Sequence, residues 1–67
     1  MMTIIINGDI KEIPNDSTLD DMLNFFSLPS KRVAVELNKT VVPRREWGTT
    51  TIAESDKIEV IHFVGGG

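Results

Sequence analysis

The chain has 67 residues, 40% hydrophobic and 25% charged. That is one small domain, burying only about 60% of the surface its unfolded form exposes, with little room for a deep substrate pocket. A net charge of −3 argues against nucleic-acid binding, which calls for a basic patch, and with no cysteine and one histidine disulfides, a thiol nucleophile and cysteine-based metal sites are excluded and no metal site is expected.

Residues 1–7 carry neither the basic region nor the small-residue cleavage site of a signal peptide. No run approaches the roughly 18–20 apolar residues that span a bilayer. A cytoplasmic location is therefore expected, with no membrane and no nucleic-acid partner. Residues 2–7 are β-branched and read as a strand. Asn7-Gly8 signals a type I′ hairpin turn, which needs positive φ at both central residues, and residues 10–13 form the return strand. Pro14-Asn15-Asp16 breaks the sheet.

Ser17 or Thr18 offers an N-cap, with Asp20 and Asp21 in the first turn, where the helix dipole favours negative charge. Leu19, Met22, Leu23 and Phe26 fall at helical spacing on one stripe, wide enough to cover one face of a sheet. Leu28-Pro29-Ser30 ends the helix. Residues 33–37 read as a third strand, Asn38-Lys39 as a tight turn, and residues 40–42 as a brief fourth strand stopped by Pro43. Residues 44–48 form a single helical turn with Trp47 laid on the domain. Glu54-Ser55-Asp56 turns the chain into a last strand over residues 57–64.

Strands on both sides of one helix favour a mixed sheet packed on that helix, an α+β design. The last strand is apolar on both faces, which suits a central place beside the first. This is the β-grasp, or ubiquitin-like, arrangement: residues 1–64 make the domain and residues 65–67, Gly65-Gly66-Gly67, a flexible tail. At a glycine usage of about 7%, three in succession at a terminus arise by chance in roughly 0.03% of chains. Without Cβ atoms the tail is narrow enough to carry a free α-carboxylate into a tight channel. A frayed end or a fusion remnant has the same composition.

The stretch Asn38-Lys39-Thr40-Val41-Val42-Pro43-Arg44-Arg45-Glu46-Trp47 resembles the N-x-x-x-V-P-R-x-x-W segment of the ThiS sulfur carriers of thiamine biosynthesis. The ending Asp56-Lys57-Ile58-Glu59-Val60-Ile61-His62-Phe63-Val64-Gly65-Gly66-Gly67 resembles their last strand and di-glycine tail. Asn7-Gly8 matches too, so the resemblance covers essentially the whole chain. The extra glycine, Gly65, replaces a small residue of some members and hardly affects the chemistry.

The resemblance implies a protein co-substrate with no catalytic residues of its own. An E1-like adenylyltransferase would use ATP to convert the Gly67 carboxylate to an acyl-adenylate. A persulfide donor of the cysteine desulfurase or rhodanese type would then leave a thiocarboxylate at Gly67, and thiazole synthase would accept the sulfur. Gly65 and Gly66 would allow the extended path into the partner's channel. No tightly bound cofactor is expected, ATP belonging to the partner, and the free protein is expected to be a monomer. The di-glycine ending alone is shared with the small subunit of molybdopterin synthase and with ubiquitin relatives. Sulfur delivery to molybdopterin, or a binding or modifier module without sulfur chemistry, therefore stand as alternatives.

Docking is expected on the sheet face away from the helix. Strand alternation turns Ile58 and Val60 toward the helix and Ile61 and Phe63 to the other side. With Met2, Ile4 and Ile6 inward, Ile5 would join Ile61 and Phe63 in a contiguous apolar partner surface. Self-association, or cover by the 44–47 turn, are the other uses of such a patch. The acidic charge suits a basic surface on the partner. His62 reads as a half-buried strand residue, since a proton shuttle needs reach to a reacting group. Arg44 and Arg45 read as solvated charge, Trp47 as a packing anchor, and Asp20-Asp21 as serving the helix start.

Overall fold

Met2–Ile6 (β1) and Asp9–Ile13 (β2) pair antiparallel, Met2 opposite Ile13 and Ile6 opposite Asp9. The Asn7-Gly8 link has φ of 49° and 85°, as a type I′ turn requires. The structure, a computed structural model, describes residues 1–63.

The helix, Leu19–Phe25 (α1), begins at Thr18. The Asp21 N–H donates to the Thr18 hydroxyl at 3.1 Å, and the Thr18 N–H donates to the Asp21 carboxylate at 2.9 Å. This reciprocal capping box selects Thr18 over Ser17 as the cap. Ser17 is buried, its hydroxyl donating to the Pro14 carbonyl at 2.7 Å. Leu19, Met22 and Leu23 are buried as the stripe predicts, but α1 stops earlier than Leu28-Pro29-Ser30 suggests, with Phe26 as its C-cap. Ser27 takes a left-handed φ of 54°. Its N–H donates to the Asn24 carbonyl at 3.2 Å, and the Leu28 N–H donates to the Leu23 carbonyl at 2.8 Å. That is a Schellman termination with serine where glycine is usual.

Val33–Leu37 (β3) and Thr40–Val42 (β4) form the second hairpin, turned by Asn38 and Lys39 at φ 51° and 72°. A 3₁₀ turn, Arg44–Glu46, follows Pro43 and delivers Trp47 into the core at 2% exposure. Residues 49–53, to which the sequence pattern assigns no element, run back past the helix start. There Thr51 bridges Thr18, and the Ile52 N–H donates to the Ser17 carbonyl at 2.8 Å, burying Ile52.

Lys57–His62 (β5) completes a sheet of order β2-β1-β5-β3-β4. It is parallel to β1 and antiparallel to β3, and so central, as its apolar character predicts. Ile4, Ile13, Val35 and Ile58 from the sheet meet Leu19 and Met22 from α1 in one fully buried core. This mixed sheet on one helix is the β-grasp arrangement. The last strand is shorter than the expected 57–64: Phe63 lies past its end, and Val64 falls outside the described residues. Among the described residues no helix is long and apolar enough to cross a membrane.

Candidate functional site

Gly65, Gly66 and Gly67, the expected tail and point of attachment, lie outside the described residues. The structure describes the strand that leads to them and the face around it. Along β5 the predicted alternation is visible in burial. Ile58 is buried and Val60 half-buried on the helix side, while Ile61 and Phe63 are 43% and 56% exposed. Ile61 stands opposite Ala34 of β3, and the Phe63 N–H donates to the Arg32 carbonyl at 2.7 Å.

Ile5 is on the same outer face but does not join them. The parallel register sets Ile5 beside Lys57, four positions before Ile61, or about 13 Å along the strand. Its other neighbour across the sheet is Ile10 of β2, 75% exposed. Between the two apolar patches lie Lys57 and the cross-strand pair Glu59 and Glu36. The expected contiguous surface is therefore two patches, Ile5 with Ile10 and Ile61 with Phe63. Alternation fixes the face of a strand residue, whereas register fixes its place along that face.

The 44–47 turn leaves Ile61 and Phe63 uncovered, because it packs against the helix start, where the Asp20 N–H donates to the Trp47 carbonyl at 3.2 Å. The Trp47 Nε1–H donates to the Val42 carbonyl at 2.8 Å, and the Arg44 guanidinium sits 4.5 Å from the Trp47 ring centroid. Among the described residues Arg45 pairs only with Glu46, an exposed contact at 3.8 Å, worth little. His62 is exposed, not half-buried as its strand position suggests. β5 runs past the end of β1 here, and core cover stops at Val60. Among the described residues no cluster of histidine, cysteine, aspartate and glutamate could hold a metal.

Two asparagines that the sequence marks as turn formers also grip β5 from either side. Asn38 Oδ1 accepts from the Lys57 N–H at 3.0 Å, and its Nδ2 donates to an Asp56 carboxylate oxygen at 3.0 Å. Asn7 Oδ1 accepts from the Val60 N–H at 2.8 Å, and its Nδ2 lies 3.4 Å from the Val60 carbonyl. The sequence signal for these contacts is the choice of asparagine over glycine at both turns.

The comparisons with known proteins agree in direction. The model of the ThiS family matches residues 4–67. A sulfur carrier protein ThiS from Bacillus subtilis is 36% identical over 63 residues, covering 92% of this chain and 96% of the relative. A thiazole synthase from Magnetococcus marinus is 41% identical over 66 residues, 98% of this chain, and the chain spans only 20% of that relative's length. The crystal structure of a thiamine biosynthesis protein (ThiS) from Geobacter metallireducens matches with a TM-score of 0.87 at 28% identity, covering 98% of this chain and 100% of that one.

Proposed function

The chain belongs to the ThiS family, and on that footing we propose that it is a sulfur carrier of thiamine biosynthesis whose working atom is the carbonyl carbon of Gly67. The observation that carries this reading is the family match over residues 4–67, which takes in Gly65-Gly66-Gly67 as well as the folded domain. In the proposed cycle an E1-like enzyme joins the Gly67 carboxylate to the α-phosphate of ATP and releases pyrophosphate. The outer sulfur of a protein persulfide then attacks the acyl-adenylate, AMP leaves, and a thiol cleaves the resulting acyl disulfide to free the thiocarboxylate. That soft, anionic sulfur is transferred to the substrate of thiazole synthase, an oxygen from the acceptor's carbonyl or from water takes its place on the acyl carbon, and the carboxylate returns for another round.

The carrier is thus a co-substrate, regenerated each cycle, acting as a monomer in the cytoplasm. Residues 1–64 serve as its address and residues 65–67 as its reactive arm, with Gly65 and Gly66 threading the partner's channel. Ile61 and Phe63, with Ile5 further along the same face, form the proposed partner interface. The similarity of nearly the whole chain to one fifth of a thiazole synthase supports a close working relation with that enzyme.

Intact mass spectrometry of the protein recovered from its native cells, grown without thiamine, tests the reading. The expected result is an oxygen-to-sulfur mass increase localised to a terminal Gly67. Residues continuing past Gly67, or an isopeptide link to lysines of other proteins, would overturn it. A deletion strain should need the thiazole moiety, and a requirement for molybdopterin instead would move the carrier to the other pathway.

A further inference from the structure

We propose that Asn7 is a positioning residue for the sulfur-carrier reaction: its side-chain carboxamide replaces the main-chain carbonyl that β1 no longer offers, and so holds the β1 side of β5 one hydrogen bond beyond the end of β1. The functional half of this statement rests on the reading above, while the structural half stands on the register.

In a parallel ladder alternate residues of one strand both donate to and accept from the neighbouring strand at even spacing. On β1 the Ile5 N–H donates to the Asp56 carbonyl at 3.0 Å, and the Asn7 N–H donates to the Ile58 carbonyl at 2.9 Å. The next bond of that series would run from the Val60 N–H to the main-chain carbonyl of Asn7. Asn7, however, sits at φ 49° and has begun the hairpin turn. The Val60 N–H is satisfied by Asn7 Oδ1 instead, at 2.8 Å. The side chain extends the ladder by one bond beyond the point at which the backbone departs.

Past Val60, the described residues give β5 partners from the β3 side only. Ile61 and His62 pair with Ala34 and Val33, and the Phe63 N–H donates to the Arg32 carbonyl. Among the described residues Asn7 is thus the last hold on the β1 side of β5. Asn38 supplies a control within the same molecule. It has the same left-handed turn geometry, φ 51°, and its amide also grips β5, but at Lys57, where the strand begins.

Glycine accepts positive φ without strain, so Asn7→Gly and Asn38→Gly each keep the turn and remove one grip. Asn7→Asp keeps the acceptor oxygen and tolerates the left-handed conformation. The experiment uses the full chain. It measures amide hydrogen exchange at Val60 by NMR, and kcat and KM for pyrophosphate release with the E1-like adenylating enzyme and ATP. Asn7→Gly is expected to remain folded and to lose about tenfold protection at Val60, the effect of one backbone-directed hydrogen bond. Its KM should rise about fivefold with kcat nearly unchanged, the pattern of weakened uniform binding. Asn7→Asp should restore both toward the parent, and Asn38→Gly should lower the melting temperature yet leave Val60 protection and KM unchanged. Unchanged Val60 protection in Asn7→Gly would overturn the grip itself. Equal KM effects from the two glycine variants would overturn the positioning role, leaving only general stability. If the parent protein is not adenylated at all, the carrier reading fails and the positioning role with it, while the exchange data still decide the grip.

Discussion

Trp47 ties three parts of a small molecule together. Its ring closes the core beside α1, its indole N–H satisfies the Val42 carbonyl at 2.8 Å, and Arg44 stacks on its face. Trp47→Phe keeps most of the buried area but removes the indole hydrogen bond to that carbonyl, which also faces Val35 in the β3–β4 ladder, so it should cost about 1 kcal/mol. The measurement is a urea titration in which the midpoint falls and the m-value stays constant. Adenylation kinetics should be untouched, because this residue serves the fold. Gly66 is the opposite case. A β-branched side chain there would obstruct the proposed channel, so Gly66→Val should slow the proposed adenylation about a hundredfold, the scale expected when a reacting group is displaced by an ångström. Its thermal melt should match the parent. Normal adenylation in that variant would contradict the channel argument.

The two ends of α1 differ in how far local chemistry announces them. The start is written in Thr18 and Asp21, a cap and its reciprocal carboxylate three residues on, and removing it with Thr18→Ala should cost about 1 kcal/mol. The end is not announced, because Ser27 holds the left-handed position that glycine normally marks. An L-residue pays roughly 1–2 kcal/mol to sit there, of which glycine's greater unfolded-state entropy returns roughly 0.5–1 kcal/mol. Ser27→Gly should therefore raise stability by about 0.5–1 kcal/mol, seen as a higher melting temperature. The same contrast runs through the sheet. Both hairpins were legible from Asn7-Gly8 and Asn38-Lys39, since turn chemistry is local. Residues 49–53 were not, because Ile52 is held by a bond to Ser17, a partner far away in sequence. The separation of Ile5 from Ile61 was hidden for a related reason: only the β1–β5 pairing sets it.

At the scale of the whole molecule, α1 and the 44–47 turn cover one face of the sheet, and the other carries Ile61, Phe63, Glu36, Glu59 and Val41 with nothing above them among the described residues. Glu36 and Glu59 face each other across β3 and β5, an arrangement that weakens a sheet left in water and suits a partner that brings positive charge. Such a partner's footprint, about 800 Å² on each side and so roughly 30 Å across, is wide enough to reach the Ile5 patch as well. The double substitution Ile61→Asp, Phe63→Asp places charge where the apolar anchor of that footprint would be. It should weaken binding to the proposed adenylating enzyme by at least about 2 kcal/mol, the mark of a hot spot, with the melting temperature nearly unchanged because neither side chain belongs to the core. Ile5→Ser should weaken binding by less, as a contact nearer the rim. Calorimetric titration of each variant reads these effects directly: a folded double variant that binds as the parent does would remove this face from the proposed interface, and one that unfolds would mean that Ile61 and Phe63 serve the core.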